Sequence, residues 1–115
     1  MALNKEDAVK LKLNMAGKQA TATKDPTERL DQNGRQRSDK ETGRLMWSTQ
    51  VFILDEDGGE VILIHTAGEK PDVKVGQLVN VSDLEALPWA TNGRNGTSFR
   101  ASAIKPATAG AVSGK

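Results

Sequence analysis

The sequence of 115 residues lacks cysteine and tyrosine, contains one histidine, and has only 3% aromatic residues. Without cysteine, disulfide bonds, thiolate nucleophiles and cysteine-ligated zinc sites are excluded. His65 has no second histidine with which to hold a metal, and we interpret it as a polar residue at a strand end. The sequence also has no phosphate-binding glycine loop before a helix and no Ser-His-Asp order. We therefore expect no enzymatic activity, no cofactor and no metal.

Long apolar runs are missing as well. No stretch approaches the roughly 20 residues that span a bilayer, and the N-terminal MALNKEDAVKLKLN lacks the continuous apolar segment of a signal peptide. We therefore expect a cytoplasmic protein with no membrane contact. Hydrophobic residues make up 37% of the chain and concentrate in residues 45–104, which is typical of one compact domain with polar ends.

Charge of one sign is not in large excess, because the net charge is only +1. The charges are unevenly distributed. Residues 1–50 hold ten basic and seven acidic residues, residues 51–96 hold three and eight, and residues 97–115 hold three and none. Bulk charge therefore does not indicate a nucleic-acid-binding protein, and any such binding must use a local stripe of basic residues.

The residues that are present predict an all-β domain. The strongest signal is the pair of apolar runs at residues 45–54 and 60–66, which flank the turn residues Asp55 to Gly59 and predict a hairpin. A weaker period of two at residues 10–23 is interrupted near Gly17, and a short helix over residues 5–13 is its alternative. The five predicted strands lie near residues 11–23, 45–55, 60–67, 77–87 and 97–105, the last two pairing across the turn NGRNG.

A long polar segment separates the first two predicted strands. Residues 24–43 have one aliphatic side chain and several turn signals, which predict a mobile loop or an arm that orders only on a partner. The domain organisation that follows is a flexible N-terminus at 1–9, a small five-stranded barrel at 10–105 and a disordered tail at 106–115. A barrel pairs the strand edges that a small open sheet leaves exposed. The predicted core consists of Val51, Ile53, Val61, Leu63, Val79, Val81 and Phe99.

The stretch GQLVNVSDLEALPWATNGRNGTSFRASAI resembles the closing half of OB-fold nucleic-acid-binding proteins, in which a Gly-x-x-Val-x-Val strand leads into a small hairpin and a basic strand. The matching residues are Gly76, Val79, Val81, Trp89, Asn92, Gly93, Arg94, Gly96, Phe99, Arg100 and Ala101. The pattern DxxTGRLMWSTQVFIL, from Asp39 to Leu54, is similar to small single-strand-binding-like proteins of actinobacterial plasmids, phages and integrating elements. The resemblance covers about residues 10–105 and implies an OB-like barrel.

The resemblance and the residues together suggest a largely sequence-tolerant module that binds single-stranded nucleic acid, with DNA expected, in replication or transfer of a mobile element. Bases would stack on tryptophan and phosphates would meet arginine. The candidate binding residues are Trp89, Arg94, Arg100, Trp47, Arg44, Arg35 and Arg37. The alternatives are a tryptophan in the core at position 47, a solvated turn at Arg94, and a protein-interaction or assembly module without nucleic acid. The sequence leaves homo-oligomerisation and the choice between DNA and RNA open.

Overall fold

The computed structural model describes residues 10–107, and over this range the chain is all-β, with nine strands and no helix. No helix long and apolar enough to cross a membrane occurs in this part of the chain. The predicted flexible N-terminus and residues 108–115 of the predicted tail lie outside the described residues. The strands are β1 (Leu11–Lys12), β2 (Gln19–Ala22), β3 (Thr27–Glu28), β4 (Met46–Asp55), β5 (Gly58–Ala67), β6 (Leu78–Ser82), β7 (Glu85–Thr91), β8 (Arg94–Arg100) and β9 (Ala103–Pro106).

All nine strands belong to one curled sheet. Their order is β1-β7-β8-β5-β4-β2-β6-β9, with β3 on the edge of β4. Every pairing is antiparallel except that between β5 and β8. Strand β2 pairs with β4 on one side and with β6 on the other, while β8 leads directly into β9, the other neighbour of β6. The sheet therefore curls, so that the continuous segment of β8 and β9 lies beside β5 at one end and beside β6 at the other.

The predicted number of five strands is wrong because three of them are divided and because β3 is an additional strand in the segment predicted as a loop. The first is interrupted at Gly17, which has φ 76°, and the fourth at Asp83, which has φ 54°. The fifth is interrupted beside that second break, where Ser102 Oγ donates a 2.8 Å hydrogen bond to Asp83 Oδ2 and Ser102 N donates to Ser82 O at 2.9 Å. The fourth and fifth predicted strands do pair, but as one ribbon that bends at these residues. The half formed by β6 and β9 lies beside β2, and the half formed by β7 and β8 lies beside β5.

The core lies on the inner face of the curled sheet. Val51 and Val79 are buried there as predicted, and Ile53, Val81 and Phe99 are partly buried against it. Most of the buried cluster is aliphatic and small, because the chain has few aromatic residues with which to fill it. The buried members are Ala20, Ala22, Val51, Ile62, Ile64, Val73, Val79, Leu84, Ala101 and Ile104.

Val61 and Leu63 are not core residues, and this prediction is wrong. Their side chains are 52% and 47% exposed, whereas Ile62 and Ile64 are buried. The turn of the β4–β5 hairpin contains only two residues, so Asp55 pairs with Gly58 and Val51 pairs with Ile62. A turn longer by an odd number of residues reverses which side chains of the second strand face the core. The two glycines belong to β5 and not to the turn.

The segment of residues 24–43 has a defined conformation, contrary to the prediction of disorder. It contains β3 and takes part in two isolated bridges. Leu30 pairs with Gln36 within the segment, and Ser38 pairs with Leu45 just beyond it. Its backbone is bonded to β4, since Arg29 N donates to Met46 O at 3.1 Å. Hydrogen bonds of its own polar groups replace the apolar contacts that the segment lacks.

Candidate nucleic-acid interface

The face of the sheet opposite the core presents a continuous surface across β7, β8, β5 and β4. Side chains alternate between the two faces of a strand, and cross-strand partners share a face, so the register identifies its members. We call this surface the outer face. Its residues are Ser48, Gln50, Phe52 and Leu54 on β4, Val61, Leu63 and His65 on β5, Arg94, Gly96, Ser98 and Arg100 on β8, and Glu85, Leu87 and Trp89 on β7.

The centre of the outer face is apolar and open to solvent. Leu54, Val61 and Leu63 are large aliphatic residues with exposures of 42%, 52% and 47%. Phe52 lies among them, and a Cβ atom on Gly59 would overlap its ring. The ring therefore lies across the backbone of the neighbouring strand at a position where only glycine leaves room. Sequence reasoning did not name Phe52 as a candidate, although the assignment of Val51 and Ile53 to the core already directed its side chain to the opposite face.

Trp89 has the same arrangement in the β7–β8 hairpin. Its cross-strand partner is Gly96, and a Cβ atom there would come within 2.6 Å of Trp89 Cζ2. The indole ring thus lies flat over the partner strand and is 44% exposed. The ring therefore offers a flat apolar surface to solvent.

Arg94 begins β8 and does not occupy the tip of the turn. The two turn residues are Asn92 and Gly93, with φ 50° and 77°. This left-handed pair is typical of a type I′ hairpin turn. Arg94 pairs with Thr91 and so shares the outer face with Trp89. The structure therefore places Trp89, Arg94 and Arg100 on one face, as the sequence suggested.

Arg100 is already paired with a carboxylate. Its NH1 atom is 3.1 Å from Asp39 Oδ1, and Asp39 is only 5% exposed. Hydrogen bonds from Arg100 and from Thr42 hold the pKa of Asp39 below its usual range. The ion pair connects the long segment before β4 to the strand that completes the outer face, so Arg100 has a structural role in addition to any role in binding.

His65 lies beside Arg100 and is surrounded by positive charge. Its Nδ1 atom is 2.9 Å from Ser48 Oγ, and it pairs with Arg100 across β5 and β8. Burial lowers its pKa to about 4, with further contributions from the charges of Arg29, Arg37 and Arg100. His65 is therefore neutral at pH 7. Its position near a strand end agrees with the sequence interpretation, but its charged surroundings were not foreseen.

Arg29 is the residue of this region that sequence reasoning missed. It is half-buried, and burial together with the charges of Arg37 and Arg100 lowers its pKa. We call Arg29, Arg37 and Arg100 with His65 the arginine cluster. Arg35 lies instead in the exposed turn of residues 31–36, where its amide donates to Asp31 Oδ1. An arginine that directly follows a short polar strand has no periodic signal that would have identified it.

Trp47 and Arg44 lie away from the outer face. Trp47 is half-buried, and its Nε1 donates a 2.8 Å hydrogen bond to Gly68 O. The Nζ atom of Lys70 is 6.0 Å from the centre of its ring. The Arg44 guanidinium also lies against Gly68, since a Cβ atom there would be 2.9 Å from Arg44 Cζ. The structure therefore separates these two candidates from Trp89, Arg94, Arg100 and Arg37.

The comparisons with known proteins yield one structural likeness. No family model matches the chain, and no curated protein matches it. Among solved structures, the chain is similar to the small single-stranded DNA-binding protein from Streptomyces coelicolor, with 16% sequence identity and a TM-score of 0.38. The likeness covers 90% of this chain and 97% of that chain. Because this identity and this TM-score are low, the likeness carries no functional argument, and any function must be inferred from the side chains of the outer face.

Proposed function

We propose that this protein binds single-stranded nucleic acid, with DNA as the expected ligand, on the outer face. The observation that supports this function is that one surface combines an exposed indole, an exposed apolar centre and basic residues at both ends. Bases need flat apolar partners and phosphates need cations, and the outer face offers both within a short distance. A role in replication or transfer of a mobile element is the further proposal that the sequence resemblance suggests.

The layout of the outer face suits an extended strand of nucleic acid. Arg94 and Arg100 are six residues apart on β8, which corresponds to roughly 20 Å at about 3.3 Å per residue. Between them lie Ser98 and the cross-strand neighbours Leu87 and Trp89. Phosphates would contact arginine at the two ends, and bases would stack on Trp89 and Phe52 between them. Paired bases hide their faces within the duplex, so these rings favour a single strand.

The path of the sheet adds support to this assignment. Following the pairings from β2 through β4, β5, β8 with β9, and β6 returns to β2. We interpret this circuit as an OB-like barrel in which β4 and β5 are the second and third segments. OB folds bind oligonucleotides on the face of those two strands and on the loops beside it. In this chain the corresponding face is the outer face, with residues 23–45 and the β7–β8 hairpin at its sides.

A titration with oligonucleotides tests the function directly. We expect poly-dT to quench tryptophan fluorescence, with an affinity that falls as salt increases, and duplex DNA to bind more weakly. A parallel titration with oligo-rU measures the preference for DNA. Trp89→Phe removes the indole signal of the outer face, while Trp47 remains hydrogen-bonded to Gly68 as an internal control. Absence of binding to both poly-dT and RNA at low salt would refute the proposal.

A protein-interaction module is the second candidate function. The observation that favours it is the exposure of Leu54, Val61 and Leu63 on one face, because contiguous exposed apolar surface marks interfaces of several kinds. Sedimentation at increasing protein concentration separates the candidates. Self-association without any response to oligonucleotides would favour this alternative.

A further inference from the structure

The arginine cluster is assembled by the backbone of three separate segments. Arg37 N donates to Arg29 O at 2.7 Å, and Met46 N donates to Arg37 O at 2.9 Å, so the two arginines lie side by side next to β4. Two residues further along β4, Ser48 contacts His65, whose neighbour across the sheet is Arg100. The charges of these three guanidinium groups, which come from different elements, therefore contribute to the lowered pKa of one histidine.

Positive charge exceeds negative charge in this cluster. Arg100 is matched by Asp39, but within residues 10–107 neither Arg29 nor Arg37 has a carboxylate oxygen within 4.0 Å. The only polar side-chain contact of Arg29 in this range is a weak one, 3.8 Å from NH1 to Met46 Sδ. Arg29 is half-buried without a counter-charge and Arg37 is exposed next to it, so an anion that bridges the two would be favourable.

The nearby acids do not remove this excess. Asp31 lines the same surface depression as Arg37, but its Oδ1 accepts hydrogen bonds from the amides of Asn33 and Arg35. Glu85 pairs with Arg100 on the side of β8 away from β5, so two strand spacings, about 10 Å, separate it from the backbone of His65. Arg29 and Arg37 thus have no direct ion-pair partner among residues 10–107.

The outer face also ends at the cluster. Beyond His65 and Ser48, the segment of residues 24–43 covers the sheet, and Met46 and Ser48 on this face are 3% and 8% exposed. A strand of nucleic acid that follows β8 from Arg94 toward Arg100 meets this covering segment at the cluster. This position therefore suits the end of a nucleic-acid strand better than its middle.

We infer that Arg29, Arg37, Arg100 and His65 form a binding site for a phosphate monoester dianion, the terminal phosphate of the strand held on the outer face. This inference rests on the proposed function. A phosphate monoester carries a charge of about −1.5 to −2 at pH 7, which matches the two unpaired arginines, while an internal phosphodiester carries one negative charge. Guanidinium groups bind phosphate oxygens through two parallel hydrogen bonds, and arginine is suited to this geometry.

Binding at this site is expected to change the protonation of His65. The groups that face it are Ser48 on β4, Arg100 on β8, and Arg29 and Arg37 from the preceding segment, with Asp39 acting through Arg100. Without an anion, burial and, to a smaller extent, these positive charges keep the imidazole neutral by lowering its pKa. A dianion among them favours the imidazolium, so the pKa of His65 rises on binding and the complex takes up a proton. The contribution of His65 to affinity should then fall as pH rises through its new pKa.

The experiment compares dT oligonucleotides of one length that end in a 5′-phosphate, a 3′-phosphate or hydroxyl groups alone, with inorganic phosphate as a fourth ligand. One phosphorylated oligonucleotide should bind about tenfold more tightly than the hydroxyl-ended one, the effect of added charge-assisted hydrogen bonds. Histidine NMR should show the pKa of His65 rising with that oligonucleotide. Equal affinities for all three oligonucleotides would overturn the inference while leaving the proposed function intact.

Matched variants assign the preference to the cluster. Arg37→Gln and Arg29→Gln should each abolish the preference for the phosphorylated end; Arg37 is exposed, so its variant tests the site even where Arg29→Gln disturbs packing. Arg94→Gln at the far end of β8 should weaken all three oligonucleotides equally and keep their ratio. A preference that survives both cluster variants would overturn the assignment. If inorganic phosphate bound and none of the oligonucleotides did, both the strand terminus as ligand and the proposed function would be refuted.

Discussion

At the scale of single residues, the outer face depends on aromatic rings that lie over glycine. Trp89 covers Gly96 and Phe52 covers Gly59, and a Cβ atom at either glycine would contact the ring. Each ring thereby shields a strand position without a side chain and remains accessible on its other face. The same contact explains why these glycines occur inside strands, where glycine is otherwise unfavourable.

Trp89→Ala and Arg94→Ala are expected to weaken binding of single-stranded DNA in different ways. Loss of a stacking ring should cost ~1–3 kcal/mol with little change in salt dependence. Loss of one phosphate contact should reduce the slope of log K against log salt by about 0.7. A salt-series titration of both variants measures the two effects. Identical changes in slope for the two substitutions would show that the roles are assigned incorrectly.

The neutral state of His65 predicts a loss of stability on acidification. Its pKa in the folded protein is about 4, below the ordinary histidine value of 6.5. The folded state therefore binds fewer protons than the unfolded state between these values, and stability present above pH 6.5 is lost as pH falls toward 4. Urea unfolding at pH 7.5, 6 and 5 should show this decline, and His65→Gln should flatten it. The paired Asp39 adds a separate loss at lower pH, because its pKa is depressed as well.

At the scale of elements, the β4–β5 hairpin shows how strongly a turn controls the faces of a sheet. Asp55 pairs with Gly58 across a two-residue turn, and this register directs Ile62 and Ile64 inward and Val61 and Leu63 outward. Both sets are β-branched or aliphatic, so hydrophobicity alone does not distinguish them. The exposed set forms the centre of the outer face, and the hairpin therefore contributes to the core and to the candidate site together.

Substitutions at adjacent positions test this register. Ile62→Asp should unfold the domain, because it places an unpaired charge in a small core. Val61→Asp should leave the melting temperature within a few degrees of the wild type, since the side chain is solvent-exposed. Thermal unfolding followed by circular dichroism measures both. An unfolded Val61→Asp protein beside a stable Ile62→Asp protein would require the opposite register.

The bent ribbon of β6–β9 is the second element that determines the architecture. Asp83 in the left-handed region and Ser102 opposite it bend both strands at one place. Strand β6 then pairs with β2, and β8 pairs with β5 in parallel. Without this bend the ribbon would continue straight and could not contact both neighbours, so the curl of the sheet depends on it.

At the scale of the whole molecule, the net charge of +1 limits how nucleic acid can be bound. Binding must depend on a few placed arginines and on stacking, since no broad basic surface supplies nonspecific attraction. The basic residues of the outer face and the arginine cluster that lack a carboxylate within 4.0 Å, in the described range, are Arg29, Arg37 and Arg94.

These three contacts predict a modest salt dependence. Three phosphate charges neutralised on a single strand correspond to a slope of log K against log salt of about −2, at 0.7 per charge. Affinity measured over a range of salt concentrations gives this slope directly. A much steeper slope would mean that cations outside the outer face, such as Arg44 and Lys70 near Trp47, also contact the strand. A slope near zero would exclude phosphate contacts by these arginines.

The sequence by itself determined the all-β class, the hairpin around residues 55–59, the pairing across NGRNG and the position of Trp89 beside that turn. Periodicity and turn residues are local signals, and these features depend on local backbone preferences. Trp89, Arg94 and Arg100 were predictable as one group because a single hairpin carries them. The interruption near Gly17 was predicted, but the breaks at Asp83 and Ser102 were not predictable, since they depend on a contact between residues far apart in the chain.

Only the tertiary structure decided which residues meet. The register of β4 and β5 selected Ile62 over Val61, and the curl of the sheet placed Trp47 and Arg44 away from Trp89. Arg29 and His65 joined the arginine cluster because a hydrogen-bonded polar segment and two strands converge there. Such convergence depends on long-range backbone pairing, for which the sequence of any one segment contains no periodic signal. The physical reason is that periodicity reports what faces a strand presents, while pairing partners determine what those faces contact.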